Sequence, residues 1–365
     1  MKQARIIVGA NYGDEGKGTV VAHYTKNGEN VLNVLTNGGA QRGHSILTEE
    51  GINITSQHFG SGTYYGADSY YSRFFILNPM QFVKEYDSLI VKPKYIYRDP
   101  DCRWTTVFDQ LANHIEEEQR GRHASCCMGV WNTIKRYKNG LTNISFDSFI
   151  HCDHDYQIKL LKSIRDYYDR NLIIPDNWKN IWYSDTLMEH FIDDCKFMYN
   201  ATTILDFQQC LPLYDDVIFE NGQGLLLTDT GKDEFDRTPS NTGPHDALAM
   251  IPFDFKEENI TIHYVTRPYL TRHGDGELIC GSERERTWLS KDIQEDRTNH
   301  YNDFQGQFRY GFLDCHKLKE RLIQESHGLK YEIELTHCDE VDRVAHFNTV
   351  FLGQQVNTYD SAIIK

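Results

Sequence analysis

The segment that most constrains this chain lies next to its start. The apolar run Ile6-Ile7-Val8 passes directly into Gly9-Ala10-Asn11-Tyr12-Gly13-Asp14-Glu15-Gly16-Lys17-Gly18-Thr19, and Val20–Tyr24 then reads as helix. A strand, a glycine-rich turn and a helix in that order make an anion site. The glycines let backbone N–H groups approach closely, and the helix dipole adds attraction. Lys17 supplies a cation, and Asp14 a carboxylate for base chemistry or for Mg²⁺. The turn is not the standard GxxxxGK(S/T) phosphate loop, because Asn11 stands where that pattern needs Gly and Gly18 where it needs Ser or Thr. Phosphate binding is still the expectation. A bland glycine turn has no reason to carry Asp, Glu and Lys between its glycines, directly after an apolar strand.

Further along, Val31–Leu35, Val217–Glu220, Ile260–Thr266, Tyr331–Thr336 and Thr349–Leu352 are the other strand candidates, while Asp101–Gln119 and Asp314–Glu325 read as helices. Strands alternating with helices predict an α/β fold with a mostly parallel, helix-covered sheet. No repeat, low-complexity tract or linker divides the 365 residues, so a single domain over 1–365 is expected, with a polar, mainly helical excursion near 139–216. A formal charge of −15 argues against broad binding of nucleic acid or anionic membrane. No apolar run approaches the ~20 residues that cross a bilayer. Met1-Lys2-Gln3-Ala4-Arg5 leads straight into a strand, which argues against a signal peptide. Nine cysteines without a repeated spacing fit a reduced, cytoplasmic chain.

Gly13-Asp14-Glu15-Gly16-Lys17-Gly18 resembles the GDEGKG signature of adenylosuccinate synthetases, which join aspartate to the 6-position of a purine nucleotide. The resemblance implies a homodimer and a phosphate-loop-like sheet. It makes Asp14 the general base and a Mg²⁺ ligand and sets Lys17 against the triphosphate. Gly13, Glu15, Gly16, Gly18 and Thr19 complete the nucleotide contacts of the motif. Gly38-Gly39-Ala40-Gln41-Arg42-Gly43-His44-Ser45 is similar to the family's GGxNAGHT, which makes His44 the acid at the transferred phosphoryl group and the Gly43 backbone a Mg²⁺ contact. Ser61-Gly62 matches the end of a PSG segment. Phe219–Gly224 resembles FEGAQG, with Asn221 and Gln223 on the nucleotide, and Ser240-Asn241-Thr242 resembles SNT. Thr271–Gly276 resembles TRVGxG, and the resemblance sets Arg272, like Thr242 of the SNT match, on the nucleotide. Thr336-His337-Cys338-Asp339 falls where the family has TKxD, so Asp339 reads the donor purine. Leu352-Gly353-Gln354 stands where members carry a TGP loop over the same base.

The chain also departs from the family pattern. Gln41 and Arg42 replace Asn-Ala beside the acceptor nucleotide. The TTGxGIGP phosphate segment is represented by Ala124–Gly129, with Ser125 as its remaining hydroxyl donor. Lys138 falls where a partner-subunit arginine reaches the nucleotide. The arginine loop that grips aspartate is reduced to Gln305–Arg309, leaving Arg309 for the carboxylates, and His337 replaces a lysine that stacks on the donor guanine. The chain after Asp339 is shorter than in typical members. Conserved phosphoryl-transfer residues with altered pockets resemble the branch of the family that aminates (d)GMP to 2-aminoadenylosuccinate, a viral branch often served by ATP. The alternative is ordinary use of IMP and GTP, which the retained Asp14 favours.

Chemistry supports a ligase independently of the resemblance. A purine 6-oxo group leaves poorly until it is phosphorylated, which needs a base at ring N1 (Asp14) and an acid with cations around the phosphoryl group (His44, Lys17, Mg²⁺). The expected partners are a purine nucleoside monophosphate, ATP or GTP, and L-aspartate, with no nucleic acid or membrane. A ligase for another amine, and a non-catalytic nucleotide-binding regulator, are the competing classes; the regulator would need neither Asp14 nor His44. Elsewhere His151-Cys152-Asp153-His154-Asp155 reads as a solvated loop, Cys126-Cys127 as small buried side chains, Glu116-Glu117-Glu118 as an exposed helix face and Arg284-Glu285-Arg286 as surface ion pairs.

Overall fold

Gln3–Gly9 (β1) is buried on both faces from Ile6 to Gly9, which is why it reads as a continuous apolar run rather than an alternation. In the computed structural model, which describes residues 2–121, 125–140, 144–229, 237–273, 277–278, 306 and 308–360, β1 is an interior strand of a parallel sheet. The other strands are Val31–Leu35 (β2), Asp68–Tyr71 (β3), Ile96–Arg98 (β4), Thr203–Ile204 (β5), Asp216–Gly224 (β6), Ile260–Thr266 (β7), Tyr331–Leu335 (β8) and Val356–Thr358 (β9). Their spatial order is β5-β4-β3-β2-β6-β1-β7-β8-β9. From β1 the chain builds one half outward, returns to β6 beside β1, and then builds the other half. The direction of winding reverses there, and open α/β sheets bind ligands beyond the carboxyl ends of such strands.

Ile6, Val8, Leu32, Val34, Phe219, Ile262 and Ile333 face one side of the sheet and pack with Leu318 and Leu322 of the helix Cys315–Glu325. Ile7, Ile218 and Val265 face the other side, under Val20 and Val21 of Lys17–Lys26 (α1). A separate core forms where Pro79–Ser88 (α2) and Val107–Arg120 (α3) meet the helices of the excursion, Phe146–His151, His154–Asn171, Asp176–Trp182 and Asp185–Ala201. Trp104, Phe108, Trp182 and Phe191 are buried in it. These four helices lie between Phe146 and Ala201.

Four expectations are corrected. The helix expected from Asp101 starts at Val107. Arg103–Trp104 is a strand beside Phe75–Leu77, and Thr106 makes a capping box with Asp109, so the backbone cannot be helical before it. Thr349–Leu352 is not a strand. Phe347, Val350 and Phe351 share one face of the helix Val344–Val350 and the turn that ends it, and this i, i+3, i+4 spacing outweighs the β-branched composition. The real edge strand is β9. Glu116-Glu117-Glu118 is not uniformly exposed: Glu117 is buried on α3 beside Arg120. The solvated loop expected over His151–Asp155 is corrected too: His151 ends the helix Phe146–His151, and Asp153 caps the helix His154–Asn171, while His151 meets the Asp147 carbonyl and His154 meets Glu189. Arg284-Glu285-Arg286 lies outside the described residues. Among the described residues, no helix is long and apolar enough to cross a membrane.

Candidate active site

The glycine-rich turn after β1 is held from inside. Glu15 Oε1 accepts the N–H groups of Asn11 (3.0 Å) and Gly13 (2.9 Å), and Oε2 lies 3.5 Å from Lys17 Nζ. Both side chains are buried, so Glu15 braces the turn rather than facing outward. Burial pushes its carboxyl up, while Lys17 and the two N–H groups pull it back. Gly13 and Gly16 have φ of +96° and +91°, and Asp14 itself sits at +59° with its side chain half-exposed. Asp14's carbonyl accepts Arg267 Nε at 2.7 Å. Thr19 lies half-buried in the first turn of α1. The glycine at position 18 has a packing reason: a Cβ there would lie 2.7 Å from the Ser45 carbonyl and 3.4 Å from His44 Cβ. The first turn of α1 thus packs against His44 and Ser45, and the Ser or Thr of a standard phosphate loop has no room.

His44, buried at the start of the strand His44–Leu47, reaches Glu220 on β6, with Nδ1 2.5 Å from Oε1. Arg42 Nη2 lies 2.6 Å from that same oxygen, which also accepts Ser61 Oγ at 2.6 Å, while Oε2 accepts Ser61 N at 3.0 Å. Burial opposes ionisation of Glu220, yet Arg42, His44 and Ser61 hold its carboxyl far below the usual range. Burial, and then Arg42, push His44 down to about 3, so its ring is neutral here. An ionised carboxylate offers only lone pairs, so the Nδ1–Oε1 contact carries the ring proton and Nε2 keeps the lone pair. The sequence marked Glu220 and Ser61 only as parts of motifs and Arg42 as a departure. Their joint action needed the fold, since they come from three separate segments.

Where β2 and β6 end, polar atoms gather without partners. Gln41 Oε1, Asn221 Oδ1, Gln223 Oε1 and Arg42 Nε are buried and unsatisfied. A Cβ on Gly38 would lie 3.2 Å from Gln41 Nε2 and 3.6 Å from Gln223 Oε1, so two of these amides flank one small cradle. Asn221 Nδ2 donates to the carbonyls of Thr242 (3.2 Å) and Gly243 (2.7 Å). Thr242 donates to the Gly224 carbonyl and is buried, so it ties its segment to β6. Ser125 Oγ accepts from Asn113 Nδ2 (3.0 Å) and from Cys127 N (3.2 Å), which leaves its own proton to donate. Burial pushes the thiols of Cys126 and Cys127 up to about 12 and about 11, against any redox role.

Arg272 and Arg309 stand directly opposite each other on the antiparallel pair Leu270–His273 and Phe308–Gly311. Arg272 also covers the Tyr12 ring of the phosphate turn at 4.7 Å, and Arg321 donates to the Ala10 carbonyl at 2.7 Å. The backbone of Gly43 is exposed beside His44. Three sequence-expected residues lie apart from this group. Lys138 is exposed at the C-terminal end of Val130–Lys138 (α4), one helix length from Ser125. Asp339 is exposed beyond β8, on the same side of the sheet as the phosphate turn. Gly353 sits in the exposed turn before β9. Because β9 runs parallel to β8 with Val356 beside Ile333, that turn is at the opposite end of the sheet from the site.

The fold resembles solved enzymes. The fully ligated adenylosuccinate synthetase of Plasmodium falciparum aligns with a TM-score of 0.71 at 18% identity, over 93% of this chain and 78% of that one. The succinoaminodeoxyadenylate synthetase of cyanophage S-2L, bound to dGMP and to dATP as energy donor, aligns at 0.67 and 12% identity, over 98% of this chain and 91% of that one. By sequence, the adenylosuccinate synthetase of Trichodesmium erythraeum is 24% identical over 239 residues, and that of Synechocystis 24% over 246. Each match takes in 61% of this chain, and the chain spans about half the length of these curated relatives. The family's sequence profile matches residues 6–352, from β1 to the turn before β9; the chain belongs to the adenylosuccinate synthetase family.

Proposed function

We propose that the protein is a nucleoside-triphosphate-dependent C–N ligase that aminates a guanylate, dGMP or GMP, with L-aspartate to give 2-aminoadenylosuccinate. The observation that carries the acceptor is the set of unpaired acceptors, Gln41 Oε1, Asn221 Oδ1 and Gln223 Oε1. A guanine edge brings N1–H and a 2-amino group as donors, whereas hypoxanthine brings no 2-amino group. Asp14, on the outer lip of the phosphate turn, takes the N1 proton so that the 6-oxygen can attack the terminal phosphoryl group of ATP or GTP and expel the nucleoside diphosphate; the aspartate amine then displaces the 6-oxygen as inorganic phosphate.

His44 is held by Glu220 with Nε2 free of that contact. Donation from Nε2 requires a second proton, which a phosphoryl dianion beside the ring favours. Lys17, buried under the turn, supplies positive charge to the phosphates. The Asp14 carboxylate and the Gly43 carbonyl are hard oxygen donors, a set that suits Mg²⁺ better than a softer metal. Bound there, Mg²⁺ would offset charge on the phosphate oxygens. Arg272 and Arg309, facing each other across two strands, are matched to the two carboxylates of aspartate.

The test is an aspartate-dependent assay with dGMP, GMP and IMP, each below saturation, against ATP and GTP. One unpaired buried acceptor costs ~1–3 kcal/mol, so kcat/KM for a guanylate should exceed that for IMP by roughly tenfold or more. Faster use of IMP than of both guanylates would make the chain an ordinary adenylosuccinate synthetase. The active unit is a homodimer in which Lys138 reaches the neighbour's acceptor nucleotide. Lys138→Ala should then raise the acceptor KM, and mixing it with Asp14→Ala protein should restore part of the activity; a strict monomer would show neither.

A further inference from the structure

Arg42 is a buried charge in contact with the His44–Glu220 pair that the ligase reaction does not use. Its side chain is 1% exposed, next to a Glu220 side chain that is 0% exposed. Its guanidinium touches Glu220 twice, at carboxylate Oε1 (2.6 Å) and at the backbone carbonyl (3.3 Å). Nη2 also lies 2.9 Å from His44 Nδ1. Both of those nitrogens carry protons once Nδ1–H points at Glu220, so Arg42 and His44 do not bond to each other; they compete for one carboxylate. Glu220 Oε1 therefore receives three donors at 2.5–2.6 Å, from Arg42, His44 and Ser61.

An ionised carboxylate buried at 0% exposure needs a compensating cation. Lys17 is engaged with Glu15, which leaves Arg42, at 2.6 Å, as the permanent cation in contact with Glu220. The family pattern places alanine at position 42, so this compensation is a feature of this chain. We propose that Arg42 is a positioning residue: it keeps Glu220 ionised, and Glu220 in turn holds His44 as the Nδ1–H tautomer with Nε2 directed away from the carboxylate. A neutral Glu220 could donate its own proton to Nδ1, which would move the ring proton to Nε2 and let the imidazole rotate. This inference rests on the ligase reading only for its kinetic arm.

Selective ¹⁵N-histidine labelling reads the tautomer directly and needs no turnover. The His44 signals are assigned by their loss in His44→Gln. The wild type should show a protonated Nδ1 and an unprotonated Nε2. Arg42→Lys, which retains the cation, should keep that pattern and hold kcat within about threefold. Arg42→Met should mix the tautomers and lower kcat by about thirtyfold. If Arg42→Met does not fold, Arg42→Met with Glu220→Gln removes the unpaired charge and is read in the same way. Wild-type His44 signals with kcat within twofold in the Met variants would overturn the proposal. So would an Nε2–H tautomer in the wild type, or a lysine variant as impaired as the methionine one. Absence of aspartate-dependent turnover in the wild type would count against the ligase reading alone, since the tautomer measurement stands without it.

Discussion

The helical excursion and the crevice beyond β1 and β6 are both well buried, but they treat polar groups in opposite ways. Beneath the excursion, Asp109 is fully committed. It caps α3 with Thr106, takes Arg136 Nε at 2.9 Å and accepts the Tyr168 hydroxyl at 2.7 Å, and Arg136 also donates to the Trp104 carbonyl at 2.8 Å. Among the described residues from 144 to 216, Arg165 Nε is the single buried side-chain atom without a partner. At the crevice, Gln41, Asn221, Gln223 and Arg42 each leave one buried polar atom unsatisfied. Such atoms cost free energy until something fills them. A region that closes its polar account is scaffold, and one that leaves it open is built for a ligand.

The contrast can be broken by changing one region at a time. Asp14→Ala and His44→Ala should each abolish turnover, a loss of about 10³-fold or more (~4 kcal/mol), with nucleotide binding within about tenfold. Near-normal turnover in either variant would take that residue out of the mechanism. Asp109→Ala should act in reverse: it leaves Arg136 buried and unpaired at ~3–5 kcal/mol, so the denaturation midpoint falls while kcat of the folded fraction stays within twofold. A catalytic defect in that variant at full foldedness would erase the division between scaffold and site.

Acid should weaken the scaffold through His58, whose Nδ1 meets the Tyr71 hydroxyl and whose Nε2 accepts Asn78 N–H. Burial, and then Arg42, push it down to about 3. The unfolded chain, with an ordinary imidazole, binds the proton first. This contribution to stability is complete above pH ~6.5 and is lost as pH falls toward 3, at up to ~1.4 kcal/mol per pH unit. Urea midpoints between pH 7 and 5 should show the slope, which His44 shares because it is pushed down to about 3 as well. His58→Gln should therefore reduce the slope by about half; an unchanged slope would place the acid sensitivity elsewhere. The smallest effect is expected from Thr106→Ala, about 1 kcal/mol from one lost cap, read from the same midpoints with activity untouched.

Most of the fold was legible in advance because it rests on local pattern. Ile6–Val8, Val31–Leu35 and Ile260–Thr266 are β-branched or apolar-rich runs that suit strands buried on both faces, and the helix expected over Asp314–Glu325 is present as Cys315–Glu325 behind an Asp314 cap. The misreadings arose where two local signals compete. Thr349–Leu352 has strand composition but helical spacing, and Asp101 opens a polar stretch whose true cap is Thr106. In the site, the motif spacing marked Asp14, Lys17 and His44, but the chemistry of Glu15 was misjudged. A carboxylate between glycines reads as a ligand contact, whereas its nearest donors are the N–H groups of its own turn.

By itself the sequence determined that a strand would end in a glycine-rich turn opening a helix, because glycine tolerates the positive φ at Gly13 and Gly16 and the apolar run before them must be buried. It also set a carboxylate and a cation, Asp14 and Lys17, three residues apart in that turn. What tertiary structure alone decided is how His44 is held. Arg42, Ser61 and Glu220 come from segments up to 178 residues apart, and no local rule relates their side chains. They meet because β6 returns to lie between β1 and β2, which brings the Glu220 carboxylate under the turn that carries His44. The sheet order, set by which apolar faces can be buried together, is thus the physical cause of the site's electrostatics.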